Sequence, residues 1–366
     1  MIKQILILVA FLFISMNSSV ISGQEMRKSN SISDGPYIFY NDTNIDIKWI
    51  EHNILKEDHI TSDNYRKIKN KFGLICDYED IRSTALLKPT YRQTFRNVDS
   101  MAVIADVHGE YTSYLNLLKA MGVVDNDLNW KFGAGHLVIL GDVFDRGDRV
   151  TDIFWHLFGL EKQAARAGGM VHFLLGNHEL MVLNNQLNYI NEKYWRVSGI
   201  LGIPYQELYS EQSVLGKWLR SKPVIISINN VLFTHAGISV EMVLRNMNIG
   251  KVNQIFSMWI VGKDIRAYAN DETIIFLAGS KGPVWYRGYF SDESFTRERL
   301  DSILNYYGKK HIVVGHTSSE EVRQLYNNRI IGIDAGIGQG KPGSMLIYKD
   351  GSFYLGTCSG GRIKIF

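Results

Sequence analysis

Five short stretches of this chain place metal-type ligands directly behind an apolar run. They are Ala105-Asp106-Val107-His108-Gly109, Gly141-Asp142-Val143-Phe144-Asp145-Arg146-Gly147, Gly176-Asn177-His178-Glu179, Thr234-His235-Ala236-Gly237 and Gly315-His316-Thr317. Asp, Asn and His together are the ligand types of a divalent metal in a mixed oxygen and nitrogen site. Taken singly, an Asp after a strand is a turn residue or helix cap, and a His there is a core or surface histidine. Their recurrence in order along one chain points instead to a common metal site with room for two ions.

The chemistry such a site performs is specific. Two divalent ions about 4 Å apart lower the pKa of a shared water and clamp the oxygens of a phosphoryl group for in-line attack. Asp106 and His108, two residues apart in an extended segment, present their side chains on one face, and Gly109 lets the backbone turn away. Asp142 follows its own strand, and its two carboxylate oxygens allow it to bridge two ions. Asn177, His235 and His316 add ligands from three further strand ends. Arg146, inside a cluster, and Arg287, in Trp285-Tyr286-Arg287-Gly288, carry guanidinium forks that match phosphate oxygens. A leaving alkoxide or phenoxide needs a proton. His178 is placed to give it, with Asp145 orienting and charging the ring.

The elements that must position these residues follow from the apolar pattern. Met101–Ala105, His136–Leu140 and Val171–Leu175 read as buried strands. They alternate with helices over Tyr111–Met121, Thr151–Ala167 and Leu180–Leu187. That β-α-β-α order defines an α/β protein with strands flanked by helices. Val224–Ile228 and Val231–Thr234 read as a hairpin, and His311–Val314, Arg329–Ile333, Met345–Tyr348 and Ser352–Leu355 as later strands. Ligands collect at the carboxyl ends of strands in such sheets, so side chains from separate strand ends can converge. Ahead of this domain, Pro36–Tyr40 and Ile45–Ile50 read as a β-hairpin and Lys56–Tyr78 as charged and irregularly helical. The expected organisation is a signal peptide over 1–23, an N-terminal extension over 24–95 packed on the main domain, and a catalytic domain over 96–366.

Composition narrows the function classes. The net charge of +3 over 366 residues is not concentrated in one stretch, which argues against nucleic-acid binding as the main task. Lys3, an apolar run from Ile5 to Ile14 and a small-residue exit near Ser22-Gly23 describe a secretory signal peptide. The run is short for a membrane span, with an uncleaved anchor as the alternative. The expected location is secreted or periplasmic. The two cysteines, Cys76 and Cys358, are in no metal-spaced pair. They could pair in an oxidising compartment or stay as separate buried thiols.

The order Asp-x-His-Gly, Gly-Asp-x-x-Asp-Arg-Gly, Gly-Asn-His-Glu, His-Ala-Gly and Gly-His-Thr resembles the phosphoprotein phosphatase family of binuclear metallophosphatases. Gly176–Leu183, Trp285–Gly288 and the leading apolar run resemble its Shewanella-like branch. The resemblance implies a calcineurin-like metallophosphoesterase fold, a central two-sheet β-sandwich flanked by helices. It implies that Asp106, His108 and Asp142 hold one metal and Asp142, Asn177, His235 and His316 the other. Arg146 and Arg287 would bind phosphate, and His178 with Asp145 would be the proton donor pair. The expected cofactors are two divalent ions, manganese first, with iron, zinc, cobalt or nickel as alternatives. Many metallophosphoesterases end in Gly-His-x-His; Ser318 stands at the second position here, which weakens a phosphodiesterase reading. The expected function is a phosphomonoesterase acting on phosphoproteins at Ser/Thr or Tyr, by direct attack of a metal-bridging hydroxide. The alternatives are a small-molecule or dinucleotide phosphohydrolase and, in another class, an inactive metal-bound interaction protein.

Overall fold

The protein is described by a computed structural model over residues 31–366 apart from 43, 90 and 91. The apolar run and the expected signal peptide lie outside the described residues. In chain order the strands are β1 (Asp34–Asn41), β2 (Asn44–Glu51), β3 (Ile54–His59), β4 (Thr94–Phe95), β5 (Ser100–Ile104), β6 (His136–Ile139), β7 (Met170–Phe173), β8 (Ile225–Ile228), β9 (Val231–Thr234), β10 (His311–Val314), β11 (Arg323–Leu325), β12 (Ile330–Gly332), β13 (Met345–Lys349), β14 (Ser352–Gly356) and β15 (Arg362–Lys364). Two six-stranded sheets carry the site, in the orders β15-β14-β13-β5-β6-β7 and β11-β12-β10-β9-β8-β4.

The continuous apolar runs have a physical reason. In β5, Met101 and Val103 pack into the layer between the two sheets, whereas Ala102 and Ile104 face the helical layer. Val138, Phe233 and Val313 likewise point inward, and Leu137, Ile139, Leu232 and Ile312 outward. A strand buried on both faces must be apolar at every position, and aligned sheets packed this way form a sandwich. β5, β6 and β7 run parallel, as do β9, β10 and β12. Their carboxyl ends therefore deliver Asp106, Asp142, Asn177, His235 and His316 to one edge.

Two local features differ from the expectation. The N-terminal hairpin gains a third strand, β3, which pairs with β2 along its whole length. Its Ile54-Leu-Lys-Glu-Asp-His59 sequence is mostly exposed and lacks apolar alternation. Pairing rather than burial defines it, as is common for charged edge strands. Helices follow at Tyr65–Phe72 and Tyr78–Thr84. The helix expected from Leu180 begins at Asn177 and ends at Leu183, which puts Asn177 and His178 in its first turn. Cys76 and Cys358 are both free thiols. No helix among the described residues is long and apolar enough to cross a membrane.

The neighbouring strands β6 and β7 carry a histidine pair. His172 Nε2 lies 2.9 Å from His136 Nδ1, and Phe95 packs edge-on against His172. Burial pushes His136 down to about 4, helped by the Arg92 charge. Burial and the neighbouring His136, Lys222 and Arg92 push His172 well below its ordinary value. Both groups are neutral when folded but take up protons near pH 6.5 when unfolded. Stability should therefore fall as pH drops below about 6.5, by up to about 1.4 kcal/mol per pH unit for the buried His172. His172→Leu should flatten that slope between pH 6.5 and 4 in urea titrations; an unaltered slope would show that the pair does not govern it.

Candidate metal centre

The ligand-type residues sit where the chain leaves its strands in an unusual backbone conformation. Asp106, His108, Asp142, Asp145, Arg146 and His316 all have positive φ, between 41° and 73°. Such conformations cost about 1–3 kcal/mol each for non-glycine residues and collect at functional sites. Here they fall at the strand exits, and His108, Asp142 and His316 among them bring their side chains into the two donor groups. Main-chain bonds interlock the loops: His108 N–H donates to Asp142 O (2.9 Å), Gly315 N–H to His235 O (2.7 Å) and Gly338 N–H to Asp106 O (3.1 Å).

Asp142 is central. Its Oδ2 lies 3.3 Å from His235 Nε2, 3.7 Å from His108 Nε2 and 3.9 Å from His178 Nε2. Its Oδ1 accepts the His178 backbone N–H at 3.0 Å. One group of metal-type donors is His108, Asp142 and His178; a second is Asp142, His235 and His316. In the second, His235 Nε2 is 2.8 Å from Asn177 Oδ1 and 3.1 Å from His316 Nδ1. These spacings fit donors sharing one ion at bond lengths of about 2.1 Å. His108 and His235 each give Nδ1 to a backbone carbonyl, of Phe144 (2.7 Å) and Leu140 (2.6 Å). That outer bond fixes the tautomer and leaves Nε2 as the ligand atom.

The electrostatics suit cations. Burial pushes the His108 imidazole down to about 3 and that of His316 to about 2, so both are neutral, the form that binds metal. Burial works against ionisation of Asp142, but the histidines His235, His178 and His108 outweigh it and hold the carboxyl well below its usual range. Asp106 goes the other way, raised by burial and by the neighbouring carboxylates Asp334 and Asp142. A bound cation relieves that repulsion, coupling metal uptake to proton release.

Asp106 is in neither donor group, but its carboxylate lies beside them and accepts the His316 backbone N–H at 3.0 and 3.1 Å. Gly315 makes this approach possible, because a Cβ there would stand 2.2 Å from Asp106 Oδ2. Gly315→Ala is expected to displace the carboxylate and weaken metal binding by ~10–100-fold, the scale of outer-shell changes. Equilibrium metal titration reads this directly, and unchanged affinity would remove Asp106 from the site.

His178 and Asp145, the expected proton donor pair, are in contact. His178 Nδ1 lies 2.5 Å from Asp145 Oδ2. Burial alone would lower the His178 pKa, but Asp142 and the Asp145 bond together raise it. Arg146 and Arg287 are exposed at the rim. Arg287 Nη1 donates to His316 O at 3.0 Å, which ties it to a ligand loop. Arg146 donates its N–H to Tyr189 O (3.0 Å) and receives the Asn191 amide on its own carbonyl (2.7 Å).

Two buried carboxylates went unassigned in the sequence. Glu179 accepts backbone N–H groups from Asp142 (2.7 Å), Val143 (2.8 Å) and Gly176 (2.8 Å), locking the second ligand loop onto the helix that bears Asn177 and His178. Its position three residues after Gly176 is capping-box spacing, a readable signal. Asp334 is buried and accepts the Ser318 hydroxyl at 2.5 Å and the Gly336 N–H at 3.2 Å. It too follows an apolar strand, β12. Ser318, at the position where other families carry a second histidine, is thus engaged with Asp334.

The calcineurin-like phosphoesterase profile matches residues 100–320, and the chain belongs to that family. It is 26% identical over 264 residues to Shewanella-like protein phosphatase 1 of Plasmodium berghei, covering 69% of this chain and 71% of the relative. It is 24% identical over 293 residues to Shewanella-like protein phosphatase 2 of Arabidopsis thaliana, covering 67% and 73%. A cold-active protein-tyrosine phosphatase from a psychrophilic Shewanella species is 35% identical in its crystal structure. That match covers 92% of this chain and 100% of the other, with a TM-score of 0.83. The chain is a metal-dependent phosphoric monoester hydrolase of the Shewanella-like branch.

Proposed function

We propose that this enzyme removes phosphate from phosphorylated proteins or peptides at a dinuclear centre. In this reading Asp106, His108 and Asp142 hold one divalent ion, and Asp142, Asn177, His235 and His316 the other. Two such ions, when bound, supply an activated water and positive charge for the phosphoryl oxygens. The donor set has three oxygen-bearing and three imidazole residues and no thiolate, which suits manganese and leaves iron, zinc, cobalt and nickel as alternatives. Arg146 and Arg287 grip the remaining phosphoryl oxygens from opposite loops. His178 protonates the departing oxygen, and the Asp145 bond to its Nδ1 orients the ring and favours its charged form.

The observation that carries this reading is the single oxygen, Asp142 Oδ2, within 3.9 Å of His108, His178 and His235. A peptide substrate is supported by a cavity of about 570 Å³ lined by Arg287, Trp285, Lys281 and Asp292. It is supported as well by the protein-phosphatase relatives. The leading basic-apolar-small pattern supports export to the periplasm or medium. The test is metal analysis of the purified enzyme with a panel of phosphotyrosine, phosphoserine and phosphothreonine peptides set against dinucleotides. Turnover of dinucleotides alone would replace this reading with the small-molecule one.

A further inference from the structure

We infer that Tyr189 selects the leaving group, favouring aryl over alkyl phosphate esters and hence phosphotyrosine over phosphoserine. The assignment rests on the phosphomonoesterase reading above and adds a specificity residue to it. Tyr189 is 56% exposed, yet its ring stands against the His178 imidazole with centroids 5.4 Å apart at 65°. Its backbone is not free to drift. Tyr189 O accepts the Arg146 N–H at 3.0 Å, and Asn191 Nδ2 holds Arg146 O at 2.7 Å. Asn191 also caps the next helix by accepting Lys193 N–H at 2.9 Å, and Lys193 Nζ reaches back to Asp148 O at 2.6 Å. The same short segment thus places a guanidinium for the phosphate and an aromatic ring beside the proton donor.

The chemistry of the departing group makes that placement consequential. The oxygen that His178 protonates must lie beside the His178 ring. In an aryl ester that oxygen carries a phenyl ring, within reach of Tyr189 for an edge-to-face or offset contact. Such aromatic pairs are worth ~0.5–1.5 kcal/mol beyond the area they bury. A seryl ester places a single methylene there and gains little from the ring. Core packing does not account for Tyr189, since more than half of its surface faces solvent.

The experiment compares kcat/KM on phenyl phosphate and a phosphotyrosine peptide with kcat/KM on an alkyl phosphate and a phosphoserine peptide. Wild type, Tyr189→Ala and Tyr189→Phe are measured side by side. Tyr189→Ala should lower the aryl-to-alkyl ratio by about tenfold, the upper end of an aromatic pair, with most of the change in KM. Tyr189→Phe, which keeps the ring, should restore the ratio. A variant that merely loosens the loop would slow both ester classes together and leave the ratio unmoved, and that outcome overturns the inference. So does a ratio lost equally in Tyr189→Phe. If the peptides fail while the small esters react, the peptide reading falls and the ratio on the small esters still decides the role of Tyr189.

Discussion

His178→Ala is expected to lower kcat on phosphopeptides by ~10²–10⁴-fold, the contribution of one positioned proton donor, while the protein keeps its metal. His178 Nδ1 is bound to Asp145 at 2.5 Å and its Nε2 faces Asp142 Oδ2 at 3.9 Å. In the proposed role the Asp145 side holds the ring charged and the Nε2 side serves the substrate. The deficit should shrink for esters whose leaving group departs without a proton, such as p-nitrophenyl phosphate. Asp145→Asn should show the same leaving-group dependence with a smaller loss, since the ring remains but its charge is less favoured. Metal content, kcat on both ester types and thermal melting are the measurements. Parallel loss of metal and turnover would make His178 a ligand in the group it forms with His108 and Asp142.

Asp142→Asn is expected to abolish activity by emptying both halves of the centre. The substitution keeps the shape but removes the charge shared by the two donor groups. Outer-shell changes already cost ~10–100-fold in metal affinity, so removing the shared ligand should cost more. Wild-type protein should gain about 2.7 kcal/mol of stability when metal is added to a hundred times its dissociation constant. The variant should show almost none of that gain in a melting experiment. Retained metal and full turnover would leave the chain as a phosphatase fold whose chemistry lies elsewhere.

How much of this was legible beforehand varies by element. The strands β5, β6, β7, β9 and β10 were readable because burial on both faces demands unbroken apolar runs. β3, β4, β11 and β15 were not, because they are short or exposed and exist through pairing with a neighbour. The start of the helix at Asn177 was also missed: its cap is Gly176, and the Glu179 carboxylate that closes the turn onto Gly176 N–H acts through space as well as along the chain. Asp334 carried the same strand-then-carboxylate signature as Asp106 and Asp142 but lacked a histidine or arginine beside it to draw notice.

The chemistry was written in residue types. Asp, Asn and His behind apolar runs, and an Asp-Arg pair beside an Asn-His pair, determine a phosphoryl-transfer metal site before any coordinates exist, because few other side chains bind such ions or phosphate. Their meeting place was decided only by the tertiary structure. Two stacked sheets bring Asp106 and His316, 210 positions apart, within hydrogen-bonding distance. Left-handed turns at Asp106, His108, Asp142 and His316 then shape the loops that bear these side chains. Those turns persist because the packed sheets and the Glu179 carboxylate leave the loops no cheaper path, a cooperative constraint that no local stretch of sequence contains.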